Sequence, residues 1–264
     1  MTKLDNCFAV VTGASAGIGR EFARQLAPRA KALILVARRR DRLEELKTEL
    51  LEKNRSLHVD VRETDLSNLE QTNALAKSLV EEPIDFLINN AGLGDLGPLA
   101  GADPARVSEQ VQVNVLALTA LTRAVLPRMI AQKRGAILNV SSSAGFLPLP
   151  GFAIYAATKA YVTSFSEAIR AETRGCGISV TAFCPGPVAT EFTQIANRQH
   201  RARSYGFSIV RVPAEKVARI GLRAIERDKA MVIPGLAMKI GMAITRMTPL
   251  AILRLLSGFT RHSE

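Results

Sequence analysis

The chain has 264 residues, 47% hydrophobic and 22% charged, which is ordinary for a globular protein and a suitable length for one open α/β sheet. Its net charge of +11 is uneven, since residues 198–264 hold 13 Lys/Arg against 4 Asp/Glu and the remainder is nearly neutral. No helix, finger or aromatic platform accompanies that charge, so no nucleic-acid module is expected, whereas an acidic partner or a membrane surface fits it.

No Pro-, Gly- or Ser-rich tract and no repeat divides the sequence, so one domain over 1–264 is expected, with an apolar, basic extension from about 231. The start lacks a basic n-region, a long apolar run and a cleavage site, which gives a cytoplasmic expectation. Cys7, Cys176 and Cys184 are widely spaced and lack any CxxC or Cys/His pattern, so they read as small apolar residues and no metal site is expected.

Apolar, β-branched runs at 7–11, 32–36, 57–61, 85–88, 136–140, 178–183 and 230–233 alternate with helical spacings, the pattern of a parallel α/β sheet. After the first run comes Thr12-Gly13-Ala14-Ser15-Ala16-Gly17-Ile18-Gly19, leading into a helix over Ile18 to Ala27. Glycines let the backbone approach a pyrophosphate, and a helix N-terminus offers it N–H groups and a positive dipole end. Gly13, Ser15, Gly17, Ile18 and Gly19 are therefore candidate cofactor contacts, although such a loop also occurs as a plain turn. The second run ends in Arg38, Arg39 and Arg40, where an enzyme that uses NAD usually has a carboxylate. An arginine fork accepts a 2′-phosphate in paired hydrogen bonds, so Arg38 and Arg39 favour NADP(H). The competing reading is a solvated start to the helix over Asp41 to Lys53, poorly suited to the dipole there.

Asp65 and Leu66 follow the third run, and Asn90, Ala91 and Gly92 the fourth, at the carboxyl ends where open sheets bind ligands. Asp65 reads equally as an adenine contact or as the entry to a helix capped by Ser67, with Glu70 completing a capping box. Two long helices are expected over Pro104 to Ala131 and Gly151 to Arg174. The latter carries Tyr155 and Lys159 four residues apart, hence on one face. A phenol beside an ammonium ionises more readily and can exchange a proton with an alcohol or carbonyl. Among Ser141, Ser142 and Ser143, one hydroxyl is a candidate to polarise the substrate oxygen, and spacing alone does not choose between them.

Taken together, the Thr12–Gly19 loop, Asn89-Asn90-Ala91-Gly92, Asn114, Ser142, Tyr155 to Lys159 and Pro185-Gly186 resemble the classical short-chain dehydrogenase/reductase family over roughly Phe8 to Phe192. The resemblance implies a Rossmann-like, doubly wound, seven-stranded parallel sheet with helices on both faces, often a dimer or tetramer. It implies Tyr155 as general acid, Lys159 lowering its pKa and holding the nicotinamide ribose, Ser142 orienting the carbonyl and Asn114 supporting a proton relay. Pro185, Gly186, Val188 and Thr190 would line the nicotinamide. In some NADP-using members a basic residue precedes the second loop glycine, and here that place is Ala16. The implied activity is hydride transfer between NADP(H) and a hydrophobic ketone, aldehyde or secondary alcohol. A 3-oxoacyl thioester and a steroid, retinoid or xenobiotic ketone are equally compatible. The alternative is a non-catalytic NADP(H)-binding regulator or scaffold.

On the substrate side, Leu93, Leu96, Phe146, Leu147, Leu149, Phe152 and Phe192 suggest an apolar pocket. The stretch from Met231 to Phe259 is apolar and carries only Lys239, Arg246 and Arg254 as charges. It reads as a cover over the cleft or a subunit contact, ahead of a peripheral membrane anchor.

Overall fold

The computed structural model describes residues 4–196 and 212–248. The first half alternates β1 (Phe8–Thr12), α1 (Gly17–Leu26), β2 (Ala32–Ala37), α2 (Arg40–Lys53), β3 (His58–Glu63), α3 (Leu69–Val80) and β4 (Phe86–Asn89). The second continues through α4 (Pro104–Val111), α5 (Leu118–Gln132), β5 (Gly135–Val140), α6 (Ala153–Glu172) and β6 (Ile178–Phe183). A short β7 (Val188–Ala189), α7 (Phe192–Ala196), β8 (Val212–Pro213), α8 (Ala214–Glu226), β9 (Met231–Val232) and α9 (Leu236–Met247) complete it.

Seven strands form one parallel sheet in the order β3-β2-β1-β4-β5-β6-β9, Rossmann-like as expected, and β7 pairs with β8 apart from it. Strands such as β2, Ala-Leu-Ile-Leu-Val-Ala, are buried at every position, so the sheet needs helices on both faces. One face packs Phe22, Leu43, Leu46 and Ile225 from α1, α2 and α8 against Val11, Leu33 and Leu35. The other packs Leu75, Leu79, Val113, Leu121 and Met129 against Val10, Ile34 and Ile137. The edge strand β3 is only half buried, and its Arg62 bridges Asp60 and Glu82, charge that discourages pairing with another chain. The strand order reverses beside β1, and the helices that follow β1 and β4 pack on opposite faces of the sheet, which opens a crevice at the carboxyl edge, the place such sheets give to ligands.

The helix expected from Pro104 runs as α4 and α5 joined by a π-helical segment over Gln112–Ala117, a local widening with no periodic signature in sequence. The joined helix is long and apolar enough to cross a membrane, yet half of its most apolar window is buried inside the protein, as in a core helix. The expected Ser67 cap is corrected. The Ser67 hydroxyl donates to Asp65 Oδ1 at 2.7 Å, so α3 starts one residue later, capped by Asn68, which accepts from the Gln71 N–H at 3.0 Å. The part of the C-terminal extension beyond Thr248, and residues 197–211, lie outside the described residues.

Candidate active site

The end of β1 and the end of β4 are tied by one hydroxyl. Thr12 Oγ1 accepts the N–H groups of Asn90 and Ala91 at 2.9 and 3.0 Å, while Asn90 Nδ2 donates to Thr12 O at 2.9 Å. This holds Gly13, at φ +67°, so close to β4 that a Cβ there would sit 2.8 Å from Asn90 Nδ2. Gly19 is tighter still, with a virtual Cβ 2.3 Å from Gly13 O, so it serves loop-to-helix packing and does not line the cleft. Among the described residues no side chain caps α1, and its first turn holds no acid. Its N–H groups and positive end are thus offered to the crevice.

Arg38 is exposed and Arg39 half-buried, both at the mouth of the cleft. Arg39 donates through Nε and Nη2 to Ser15 Oγ at 3.4 and 3.2 Å, and through Nη1 to Glu191 Oε2 at 2.9 Å. The Arg39 guanidinium holds the Glu191 carboxyl below its ordinary pKa. Glu191 was not foreseen, because a partner 152 positions away leaves no local pattern. Asp65 and Leu66 line the same end, and Asp65 also makes the helix-entry turn with Ser67.

At the reaction end, α6 presents Tyr155 and Lys159, both buried. Lys159 Nζ donates to Val140 O at 2.9 Å and stands 5.6 Å from the centre of the Tyr155 ring. Of the three serines, Ser142 is the one that acts on the Tyr155 phenol, drawing its pKa down, and its Oγ accepts the Ala144 N–H at 3.1 Å. Ser141 faces the other way and donates to Lys159 O at 2.7 Å, while the Ser143 N–H donates to Pro185 O at 2.9 Å. Gly145 lets this turn rest directly on α6, since a Cβ there would lie 2.7 Å from the carbonyl carbon of Lys159.

Burial pushes the Tyr155 phenol up to about 12, with the Ser142 bond opposing, and pushes the Lys159 ammonium down to about 8. Burial, rather than the expected lowering by Lys159, sets the net direction on the phenol. Desolvation is the largest cause on both groups.

Asn114 lies behind the cleft wall. It exchanges two 2.8 Å hydrogen bonds with the backbone of Leu93 and donates to Thr158 Oγ1 at 3.0 Å, binding the β4 loop to α6. Both of its N–H groups are thereby engaged, and its contact with the centre is through Gly92, whose virtual Cβ lies 3.3 Å from both Asn114 Oδ1 and Lys159 Nζ. Pro185, Gly186, Val188 and Thr190 line the opposite wall, and the Thr190 methyl rests 3.0 Å from the virtual Cβ of Gly17.

All these surfaces bound one cleft of about 750 Å³. Its substrate side is apolar: Leu93, Leu96, Leu147, Leu149, Phe152 and Phe192 line it as expected, whereas Phe146 does not. Phe152 stacks on Tyr155 at 4.3 Å between ring centres and Phe192 meets it at 5.3 Å. Gly94 makes room for both rings, as its virtual Cβ would lie 2.7 Å from Phe192 and 3.1 Å from Phe152. Met238 and Met242 of α9 complete the wall, so the described part of the extension covers the cleft. Their approach depends on Pro234 and Gly235 turning the chain back after β9, which hydropathy alone does not reveal.

A family model described as short chain dehydrogenase matches residues 7–201. A human very-long-chain 3-oxoacyl-CoA reductase is 34% identical over 196 residues, 71% of this chain and 61% of that protein's length, so the chain spans under two thirds of that relative. A short-chain dehydrogenase from Sphingobium yanoikuyae, solved with NADPH, is 30% identical over 97% of this chain and 94% of its own, with a TM-score of 0.80. A bulky-bulky ketone specific alcohol dehydrogenase from Comamonas testosteroni is 30% identical over 87% of this chain and 86% of its own, with a TM-score of 0.77.

Proposed function

Because the chain belongs to the short-chain dehydrogenase family, we propose that it is an NADP(H)-dependent oxidoreductase that interconverts a hydrophobic ketone or aldehyde and the corresponding alcohol. The observation that carries this reading is that Ser142, Tyr155 and Lys159 meet on the wall of one cleft, where its polar half joins its apolar half.

The residues present fit a dinucleotide. The uncapped α1 N-terminus with Gly13, Ser15, Gly17 and Ile18 suits the pyrophosphate. Asp65 and Leu66 suit the adenine, Asn90 to Gly92 and Lys159 the nicotinamide ribose, and Pro185 to Thr190 the nicotinamide ring. Arg38 and Arg39 support NADP(H) over NAD(H), since a 2′-phosphate would meet two guanidinium groups and Ala16 supplies no other cation. The similar NADPH-bound dehydrogenase from Sphingobium yanoikuyae supports the same choice. When bound, the reduced nicotinamide supplies hydride to the carbonyl carbon.

Tyr155 then donates its phenolic proton to the carbonyl oxygen, which leaves an alcohol and a phenolate; in oxidation the same proton returns. The Ser142 hydroxyl orients the substrate oxygen toward the phenol. Lys159 stabilises the phenolate with its charge, which makes proton donation from so basic a group feasible. Asn114 fixes the β4 loop beside Lys159 and, through that, the reacting geometry. Phe152, Phe192, Met238 and Met242 exclude water and favour an apolar substrate.

The test is a panel of carbonyl compounds, including 3-oxoacyl thioesters and bulky ketones, with NADPH consumption followed by absorbance. Turnover of apolar members is expected. Tight NADPH binding with no turnover of any member contradicts the reading and favours a non-catalytic regulator.

A further inference from the structure

The helix α9 has two apolar sides. Met238 and Met242 face inward to the cleft, and the terminal methyl of Met238 comes within 2.8 Å of the virtual Cβ of Gly186. Leu236, Ile240, Ile244 and Met247 are on the other side, with 74, 52, 62 and 86% of their surface exposed. Their spacing puts them within an arc of about 80° around the helix, a continuous outward stripe. Single exposed apolar residues are common, but four large ones in line mark a surface that meets a partner.

Charge decides which partner. From Met231 to Ser263 the sequence holds four Lys/Arg, namely Lys239, Arg246, Arg254 and Arg261, and no Asp or Glu. Lys239 is exposed beside the stripe. A second copy docked on this stripe would find no acid on this segment to pair with Lys239. An apolar stripe beside an exposed Lys239, in a segment without acids, instead matches the boundary between acyl chains and anionic headgroups. The sequence beyond α9 continues in the same composition, with Leu250, Ile252, Leu253 and Phe259 among Arg254 and Arg261.

We infer that the outer face of α9 docks on an anionic lipid surface, which sets the apolar substrate side of the cleft against the bilayer. The contact is a peripheral one, made by a helix lying in the interface, and it does not depend on the reductase reading.

The experiment is flotation of the full-length chain with vesicles of phosphatidylglycerol and phosphatidylcholine, or of phosphatidylcholine alone. The wild type is expected to float with the anionic vesicles and to be released in part by salt. Ile240→Asp with Ile244→Asp is expected to lower the bound fraction about tenfold, through loss of apolar insertion and added repulsion. Lys239→Glu is expected to weaken binding to anionic vesicles alone. Unchanged thermal melting would show that the variants remain folded, as neither isoleucine lines the cleft. A wild type that stays in solution with anionic vesicles overturns the inference, as does a double variant that floats as well as wild type. A double variant that reduces the sedimenting mass, with no flotation of wild type, also overturns it and assigns the stripe to a second copy.

Discussion

Arg39 and Glu191, 152 positions apart, meet in a 2.9 Å ion pair at the mouth of the cleft, and Arg42 adds a longer 3.8 Å contact to the same carboxylate. Glu191 thus holds the guanidinium that a 2′-phosphate would use, and its charge would repel that phosphate. Glu191→Gln should strengthen NADPH binding about two- to fivefold, the modest scale of a half-exposed pair, and leave NADH binding almost unchanged. Calorimetric titration of both cofactors checks this. Equal or weaker NADPH binding in the variant would show that Glu191 does not compete for Arg39.

Arg38→Asp should lower NADPH affinity by an order of magnitude or more and NADH affinity far less, because it removes a donor and adds repulsion at the 2′-phosphate only. The ratio of the two dissociation constants is the readout. A parallel loss for both cofactors would remove Arg38 from phosphate recognition.

With Tyr155 raised to about 12 and Lys159 lowered to about 8, the pH profile of reduction should reflect the lysine. The acid form of each group is the active one. Tyr155 keeps its proton across the accessible range, whereas Lys159 loses its charge as pH rises through about 8. The kcat/KM for NADPH should therefore be level from pH 7 and fall above about 8, reporting the free enzyme. Lys159→Arg, charged throughout, should flatten that limb even where it lowers the rate. A limb that persists unchanged in the variant would assign it to another group.

Gly145→Ala inserts a methyl where the Ser142 turn touches the backbone of Lys159 and Ala160, at 2.7 and 2.8 Å. Backbone cannot yield as a side-chain tip does, so a stability loss of about 1–3 kcal/mol is expected, with reduced turnover as Ser142 and Tyr155 separate. Thermal unfolding together with kcat measures both. Full stability and full turnover would mean that the turn and α6 move apart without consequence.

Much of the fold was legible because fully buried strands leave continuous apolar runs, as β2 and β6 do, and the boundaries found lie within about two residues of those runs. The site was legible where chemistry sits on one element, as with Tyr155 and Lys159, or where a motif recurs in a family. Long-range relations were not. Spacing did not show that Ser142, rather than Ser141, faces the phenol, since that depends on Ser141 finding the carbonyl of Lys159. Nor did it reveal Glu191 on Arg39, Met238 in the cleft, or the π segment that carries Asn114. The rise of the Tyr155 pKa also escaped a pairwise argument, because burial is a property of the assembled core.

Single-turnover oxidation of enzyme-bound NADPH by an apolar ketone, in wild type and in Tyr155→Phe, tests the proton-donor assignment most directly. Removal of the phenolic hydroxyl leaves the ring stacked with Phe152 and leaves the cleft walls in place, so NADPH should bind with nearly wild-type affinity. The rate of NADPH oxidation should fall by a factor on the order of 10² or more, as for loss of a general acid. A variant that oxidises NADPH at close to the wild-type rate would contradict the assignment of Tyr155 as the group that protonates the substrate oxygen.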